Sequence, residues 1–272
     1  MSDNRAIGLF DSGVGGLTVL KELIKLLPNE NFVYFGDTKR VPYGTKPVDT
    51  LVRYAREDEA FLISKNVKAV VAACATVSSV AYFTGEELPV PFFGMIEHSV
   101  KAAVNLSKNG KIGVIATPQT ILSGSHKKAI LKLDPKAEVF GVAAPEFVSL
   151  VEEGLNDIND ERVYNTALEY LSPLKEQGID TLILGCTHFP VLSDVITEIL
   201  GNDVKLVNMG EATAEQVKEV LKKENLLSEN QNKGDVKLYA SNVTNSFSKS
   251  AGFLLGVTIN KKDIIQVDLG EV

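Results

Sequence analysis

Two cysteines, the only two in the chain, each follow a short apolar run and precede sequence that is typical of a helix. Cys74 follows the run at 68–73, and Cys186 follows the run at 181–184. Continuous apolar runs of this length predict buried strands of a parallel sheet. Ligands of open α/β sheets bind beyond the carboxyl ends of the strands. We therefore expect both thiols to lie where a fold of this class carries out chemistry.

Two thiols on opposite sides of one carbon atom can move a proton. A thiolate on one side removes the proton while a thiol on the other side delivers one, which inverts the configuration of the carbon. At least one sulfur must be ionised, and cations or helix N-termini lower a thiol pKa from its usual value of about 8.5. His188 follows Cys186 by two residues, and Asp11 ends the first predicted strand. These two residues are the candidate helpers of Cys186 and Cys74.

The cysteines allow other interpretations. A free cysteine is often a small buried apolar residue, although matching positions in two similar halves of the chain favour a function. A disulfide or redox pair stays open, but the Cys-x-x-Cys form is missing. Two cysteines with His188 lack the paired short spacings of a zinc site. We therefore predict no bound metal.

A glycine-rich turn, Asp-Ser-Gly-Val-Gly-Gly at 11–16, separates the first predicted strand from a helix predicted over 17–27. Backbone N–H groups and the helix dipole at such a turn can hold an anion. The spacing fits neither the dinucleotide fingerprint nor the phosphate-binding P-loop. The turn is either a tight connection or a binding element. The carboxylate of Asp11 favours function, because it could pair with a ligand ammonium group or a neighbouring acid.

Strand and helix patterns alternate along the chain, which predicts doubly wound parallel sheets of the α/β class. The pattern then restarts, because residues 7–12 align without gaps with residues 112–117, and each opening leads to a strand-end cysteine after a similar distance. We predict two similar α/β domains. The first is discontinuous and comprises 1–97 plus 208–272, with the tail packed back on it, and the second comprises 98–207.

Composition argues against two classes of partner. The formal net charge is −7, and the lysines and arginines are scattered without a basic stripe, so we predict no nucleic-acid binding. No apolar run approaches the roughly 20 residues that span a bilayer, so we predict no membrane partner. The first residues lack the form of a signal peptide, and a cytoplasmic location is the resulting expectation.

Several short motifs also carry a resemblance to a known family. In order along the chain they lie at 11–16, 36–38, 42–44, 74–76, 147–152 and 185–190. Together they strongly resemble the glutamate racemases of the cofactor-independent aspartate/glutamate racemase family, and the similarity runs from about residue 6 to 255. The resemblance implies two α/β domains with the active site in the cleft between them, and no cofactor.

The family resemblance also implies roles for individual residues. Cys74 would exchange the proton of D-glutamate, and Cys186 that of L-glutamate. Asp11 and His188 would support the thiols, and Glu152 would assist near Cys186. The residues that would hold the substrate are Asp11, Ser12, Tyr43, Gly44, Ala75, Thr76, Thr187 and His188. Ala75 stands where the family usually has Asn, so one polar contact with the substrate is lost.

The resemblance finally implies a biological role, which is the supply of D-glutamate for bacterial peptidoglycan, and a homodimer. Three alternatives stay open. The chain could be a related racemase that acts on aspartate or another amino acid. It could be a racemase-like protein kept for binding a protein partner, or a small-anion-binding protein that uses the glycine turn alone. Neither binding role requires both thiols.

Overall fold

The computed structural model describes residues 3–81 and 88–269. Residues 1–2, 82–87 and 270–272, which the sequence assigns to the first domain, lie outside the described residues. The strands are β1 (Ile7–Asp11), β2 (Phe32–Gly36), β3 (Ala69–Ala72), β4 (Phe92–Phe93), β5 (Lys111–Ala116), β6 (Glu138–Ala143), β7 (Thr181–Gly185), β8 (Lys205–Asn208), β9 (Val236–Ala240) and β10 (Ile264–Gln266). The helices are α1 (Leu17–Leu26), α2 (Val48–Ser64), α3 (Ala75–Ala81), α4 (Ile96–Leu106), α5 (Pro118–Ser123), α6 (Ser125–Leu133), α7 (Glu146–Glu152), α8 (Glu161–Glu176), α9 (Ser193–Leu200), α10 (Met209–Lys223) and α11 (Asn245–Leu255).

The strands form two separate sheets in which every pair is parallel. The six-stranded sheet has the order β10-β9-β2-β1-β3-β4, and the four-stranded sheet has the order β6-β5-β7-β8. All residues of β1, β3 and β7 are buried, as expected for central strands that helices cover on both faces. The predicted α/β class with two parallel sheets is confirmed.

The register of the first sheet places the glycine turn beside the first cysteine. Phe10 of β1 pairs with Ala72 of β3, and the N–H of Ala73 donates to the carbonyl of Phe10 over 2.8 Å. The segments that follow β1 and β3 therefore leave the sheet side by side. Asp11 ends one strand, and Cys74 begins the connection after the other.

The second sheet repeats this arrangement. Ala116 at the end of β5 pairs with Gly185 at the end of β7, so Thr117 and Cys186 follow neighbouring strand ends. A Cβ atom on Gly185 would lie 2.6 Å from the carbonyl oxygen of Ile115. Glycine at that position lets the two strand ends approach closely, which brings Cys186 next to the start of the β5–α5 connection.

The tail of the chain returns to the first sheet. β9 pairs with β2, with Phe35 opposite Tyr239, and β10 pairs with β9. The helix α10 packs against α1 and α4. The boundaries between the two predicted domains, near residues 97 and 208, stay a prediction.

None of the helices within 3–81 and 88–269 is long and apolar enough to span a membrane.

Candidate active site

The first thiol belongs to Cys74, which stands between β3 and α3. Its side chain is buried, and Sγ lies 3.9 Å from the hydroxyl oxygen of Ser12. Burial and the charge of Asp11 raise the pKa of Cys74. At neutral pH this sulfur is therefore a thiol that can give up a proton, and it needs help to act as a base.

Asp11 is buried beneath the glycine turn. The N–H groups of Gly16 and Gly13 donate to its Oδ2 over 2.9 and 3.3 Å. Burial raises the pKa of Asp11, while the charge of His188 and the N–H of Gly16 oppose that rise. A Cβ on Gly16 would lie 2.7 Å from the Cβ of Asp11, so this close approach requires glycine. The N–H groups of this turn, which were predicted to be able to bind an anion, thus donate to the carboxylate of Asp11 in the same turn.

The second thiol belongs to Cys186, which directly follows β7 and is also buried. Its Sγ lies 3.6 Å from Nδ1 of His188. On the other side of the ring, Nε2 of His188 lies 3.1 Å from Oε1 of Glu152, the last residue of α7. Thiol, imidazole and carboxylate therefore form a continuous chain of contacts.

His188 is charged at neutral pH. Burial lowers its pKa, but hydrogen bonds to Cys186 and Glu152 outweigh burial and raise the pKa of His188 to about 10. A protonated imidazole donates from both ring nitrogens, which matches an acceptor on each side. A cation next to a sulfur stabilises a thiolate. The electrostatic surroundings of the two cysteines are therefore opposite, with an anion beside Cys74 and a cation beside Cys186.

The two clusters face one site. The charge of Cys186 contributes to the raised pKa of Cys74, and the charge of His188 acts on the pKa of Asp11. Packing also joins them, because the Cβ position of Gly15 lies 2.6 Å from Nδ1 of His188. The glycine turn of the first sheet thus touches the imidazole next to the second thiol.

Tyr43 and Gly44 lie in a short 3-10 helix, Tyr43–Thr45. The hydroxyl of Tyr43 is hydrogen-bonded to Oδ2 of Asp37 and lies 3.2 Å from Oδ2 of Asp58. Burial and the charges of Asp58 and Asp37 raise its pKa far above the ordinary value for tyrosine. Gly44 packs against the second half of the chain, because its Cβ position lies 3.2 Å from Cβ of Thr117. The backbone of the turn therefore faces Thr117, while the phenol points into a carboxylate cluster.

The hydroxyl groups of Thr117 and Thr120, which lie next to the predicted Thr76, were missed from the sequence. Oγ1 of Thr76 lies 3.1 Å from Oγ1 of Thr117, and Oγ1 of Thr117 lies 3.0 Å from Oγ1 of Thr120. The alignment of the two halves carried a signal, since Thr117 occupies the position of Ser12 in the repeat. These hydroxyls join the start of α3 to the start of α5.

The remaining predicted substrate residues lie close to the thiols in the chain. Ser12 is half-buried and follows β1, and Ala75 is buried and begins α3. Thr187 is buried, and its carbonyl accepts a hydrogen bond of 2.7 Å from the hydroxyl of Thr18. All of these residues lie just beyond the carboxyl ends of strands, in the turn or at the start of the helix that follows.

Both cysteines are free thiols, so the alternative of a disulfide pair is wrong for this structure. Among the residues that the structure describes, no three or more histidine, cysteine, aspartate or glutamate side chains are grouped so that they could hold a metal ion. The polar side chains of the site are thiols, carboxylates, hydroxyls and one imidazole. This set is suited to proton transfer between the two sulfurs.

Two parallel sheets, with a thiol near a strand end of each, define an α/β protein whose site contains groups that can donate and accept protons. The sequence profile of the family described as Asp/Glu/hydantoin racemase matches residues 38–217. A glutamate racemase of Geobacter metallireducens is 45% identical over 266 residues, which cover 97% of each chain. The chain belongs to the Asp/Glu/hydantoin racemase family.

Solved structures agree with this assignment. A glutamate racemase isoform of Bacillus anthracis superimposes with a TM-score of 0.91 at 37% identity, covering 98% of each chain. A glutamate racemase of Francisella tularensis, solved in complex with D-glutamate, superimposes with a TM-score of 0.90 at 37% identity, also covering 98% of each chain. The similarity therefore extends over nearly the whole fold, including both sheets.

Proposed function

We propose that this protein is a cofactor-independent racemase that interconverts L- and D-glutamate. The observation that carries the proposal is the pair of buried strand-end thiols with opposite helpers, Asp11 beside Cys74 and His188 beside Cys186. Glutamate is favoured over other amino acids because the relatives similar over nearly the full chain are named glutamate racemases, and one was solved with D-glutamate.

In the direction from L- to D-glutamate, Cys186 acts as the base and Cys74 as the acid. The Cys186 thiolate takes the α-proton, so a C–H bond breaks and an S–H bond forms, and the electron pair moves into the substrate carboxylate. The Cys74 thiol then delivers its proton to the opposite face of the carbon. Cys186 is left as a thiol and Cys74 as a thiolate, which is the arrangement that starts the reverse reaction.

The two helpers suit these starting states. The protonated ring of His188 stabilises a thiolate at Cys186, and Glu152 holds that ring in its charged form. Burial and the charge of Asp11 keep the Cys74 proton in place until the substrate arrives. The ammonium group of a bound amino acid carries a positive charge near Asp11 and so favours the Cys74 thiolate in the reverse direction.

Substrate binding in this proposal uses the groups at the strand ends. Hydroxyls of Ser12, Thr76 and Thr187 donate to the carboxylates, and the backbone of the Tyr43-Gly44 turn lines one wall. The side chain of Ala75 offers no polar group, so the substrate is held there by fewer hydrogen bonds. Each missing hydrogen bond weakens binding by about 0.5–1.5 kcal/mol.

The wider role follows from the activity. D-Glutamate made by this protein would supply peptidoglycan synthesis in the cytoplasm, and the family resemblance favours a homodimer. The proposed site lies in the cleft between the two predicted domains, 1–97 plus 208–272 and 98–207, and the family resemblance supports a cleft of this kind. Size-exclusion chromatography with light scattering tests the dimer, which a monomer at micromolar concentration would contradict.

Circular dichroism of the purified protein tests the activity. Without added cofactor, we expect the signals of L-glutamate and of D-glutamate to decay to zero, while L- and D-aspartate keep theirs. Decay of the aspartate signals alone would support the related racemase instead. No change with any of the four would contradict racemisation and favour a binding role.

A further inference from the structure

We propose that Thr18 and Gly15 are positioning residues for His188 and, through it, for proton transfer at Cys186. The inference rests on the proposed function for the identity of the reaction. It concerns Gly15 of the glycine turn and Thr18 in the first turn of α1, whereas Gly13 and Gly16 are already explained by their hydrogen bonds to Asp11.

Thr18 makes a contact that helix geometry does not require. Its hydroxyl lies 2.9 Å from the carbonyl of Gly15, as is common for threonine in a helix, and only 2.7 Å from the carbonyl of Thr187. A hydroxyl has one proton, and the shorter contact joins residues 169 positions apart in the chain. The carbonyl of Thr187 belongs to the peptide that continues into His188. This hydrogen bond therefore fixes the backbone from which the imidazole projects.

Gly15 supplies the surface on which the imidazole rests. A Cβ on Gly15 would lie 2.3 Å from Oγ1 of Thr187, and 2.5 and 2.6 Å from Cε1 and Nδ1 of His188. The φ angle of Gly15 lies outside the left-handed region. Glycine is therefore required here because the ring packs directly on the backbone, and not because of the backbone conformation.

The same turn consequently serves both thiols. Gly13 and Gly16 hold the carboxylate of Asp11 on the Cys74 side, while Gly15 and Thr18 hold His188 on the Cys186 side. Nδ1 of His188 is 3.6 Å from the sulfur, so a small shift of the ring weakens that contact. Misplacement of a catalytic group by about 1 Å can cost roughly a hundredfold in rate.

The first test compares Thr18→Val, which keeps the shape and loses the hydroxyl, with Thr18→Ser, which keeps the hydroxyl. Thr166→Val on α8 is the matched control. We expect Thr18→Val to lower kcat roughly three- to tenfold with little change in KM, and Thr18→Ser and Thr166→Val to retain wild-type kcat. The proposal would be overturned if Thr18→Val had the wild-type kcat, or if Thr18→Ser lost as much kcat as Thr18→Val.

Isotope effects identify the affected side. If proton transfer at Cys186 becomes slower, α-deuterated L-glutamate shows a larger isotope effect in Thr18→Val than in wild type. The isotope effect with α-deuterated D-glutamate then falls towards one, because Cys74 breaks that C–D bond in a step that no longer limits the rate. A general loss of structure would change both isotope effects alike, and that result would contradict a role confined to His188.

A readout without activity separates this proposal from the proposed function. The chain has three histidines, so the imidazole of His188 can be assigned and titrated by NMR. The pKa of His188 is about 10 in the wild type. We expect a lower pKa in Thr18→Val, and a still lower one in folded Gly15→Ala. An unchanged His188 pKa in Thr18→Val would overturn the positioning role, whether or not the wild type racemises glutamate. Absence of racemisation in a wild type with this pKa would overturn only the proposed function.

Discussion

Nε2 of His188 lies 3.1 Å from Oε1 of Glu152, and Nδ1 of the same ring lies 3.6 Å from Sγ of Cys186. Hydrogen bonds on both sides of the buried ring raise its pKa to about 10. At neutral pH the ring is therefore a positive charge between a carboxylate and a thiol. Glu152 reaches it from the end of α7 with a side chain that is half exposed. The charge beside Cys186 thus depends on a contact with a neighbouring helix.

Glu152→Gln is expected to lower the pKa of His188 from about 10. Because a histidine becomes neutral as pH rises through its pKa, the variant should lose the imidazolium at a lower pH than the wild type. The pH above which activity is lost should therefore also be lower in the variant than in the wild type. NMR titration of His188 and a pH–rate profile measure the two shifts. Glu153→Gln, next in sequence and paired with Arg162, is the control and should leave both unchanged.

The same pKa predicts how stability depends on pH. His188 has a pKa of about 10 in the folded protein against 6.5 for the unperturbed group. Its contribution to the free energy of unfolding is therefore complete below about pH 6.5 and is lost as pH rises towards 10. Urea unfolding at pH 6, 8 and 10 should show a smaller alkaline loss in Glu152→Gln than in wild type. Identical pH dependence in the two proteins would contradict this linkage.

Tyr43→Phe is expected to destabilise the fold. Its hydroxyl stands between the carboxyl groups of Asp37 and Asp58, and a single proton cannot be donated to both. Burial and the charge of Asp37 raise the pKa of Asp58, which favours a proton on that carboxyl group. Removing the hydroxyl leaves buried polar atoms without their partner, which costs about 1–3 kcal/mol.

Urea unfolding of Tyr43→Phe measures that loss. Tyr164→Phe, on the exposed side of α8, is the control and should stay within about 0.5 kcal/mol of wild type. The KM for glutamate should rise as well if the turn that carries Gly44 loses its anchor. Wild-type stability in Tyr43→Phe would show that the carboxylate cluster does not depend on the phenol.

Lys68→Met is expected to be the most destabilising of these changes. Nζ of Lys68 lies 2.5 Å from Oε2 of Glu30, and both side chains are buried. Breaking a buried ion pair leaves an uncompensated charge, at a cost of about 3–5 kcal/mol. Lys25→Met removes an exposed partner of Glu22 and should cost less than about 1 kcal/mol. Similar unfolding free energies for the two variants would contradict this account of the pair.

The fold class was predictable because buried parallel strands leave a local signal. The apolar runs before Cys74 and Cys186 are β3 and β7, and the alignment of residues 7–12 with 112–117 corresponds to β1 and β5, which hold equivalent places in the two sheets. Local pattern and sheet position are linked here because a central strand needs an unbroken apolar sequence. The roles of the site residues stay predictions.

Contacts between distant segments were not predictable. The phenol of Tyr43 bonds to Asp37 and Asp58, and Asp58 comes from α2, so its direction depends on how that helix packs. The contact of Thr18 with Thr187 joins α1 to the segment that follows β7, and nothing in either local sequence indicates it. Lys68, which the sequence placed in an apolar strand, finds its partner only after the chain folds.

The central claim is that both thiols exchange the α-proton of glutamate. Its most direct test is circular dichroism of Cys74→Ala and Cys186→Ala with L- and with D-glutamate, beside the wild type. The account predicts that each variant racemises either enantiomer at a rate lower than wild type by roughly 10²–10⁴-fold or more. Racemisation at the wild-type rate by Cys186→Ala would contradict it.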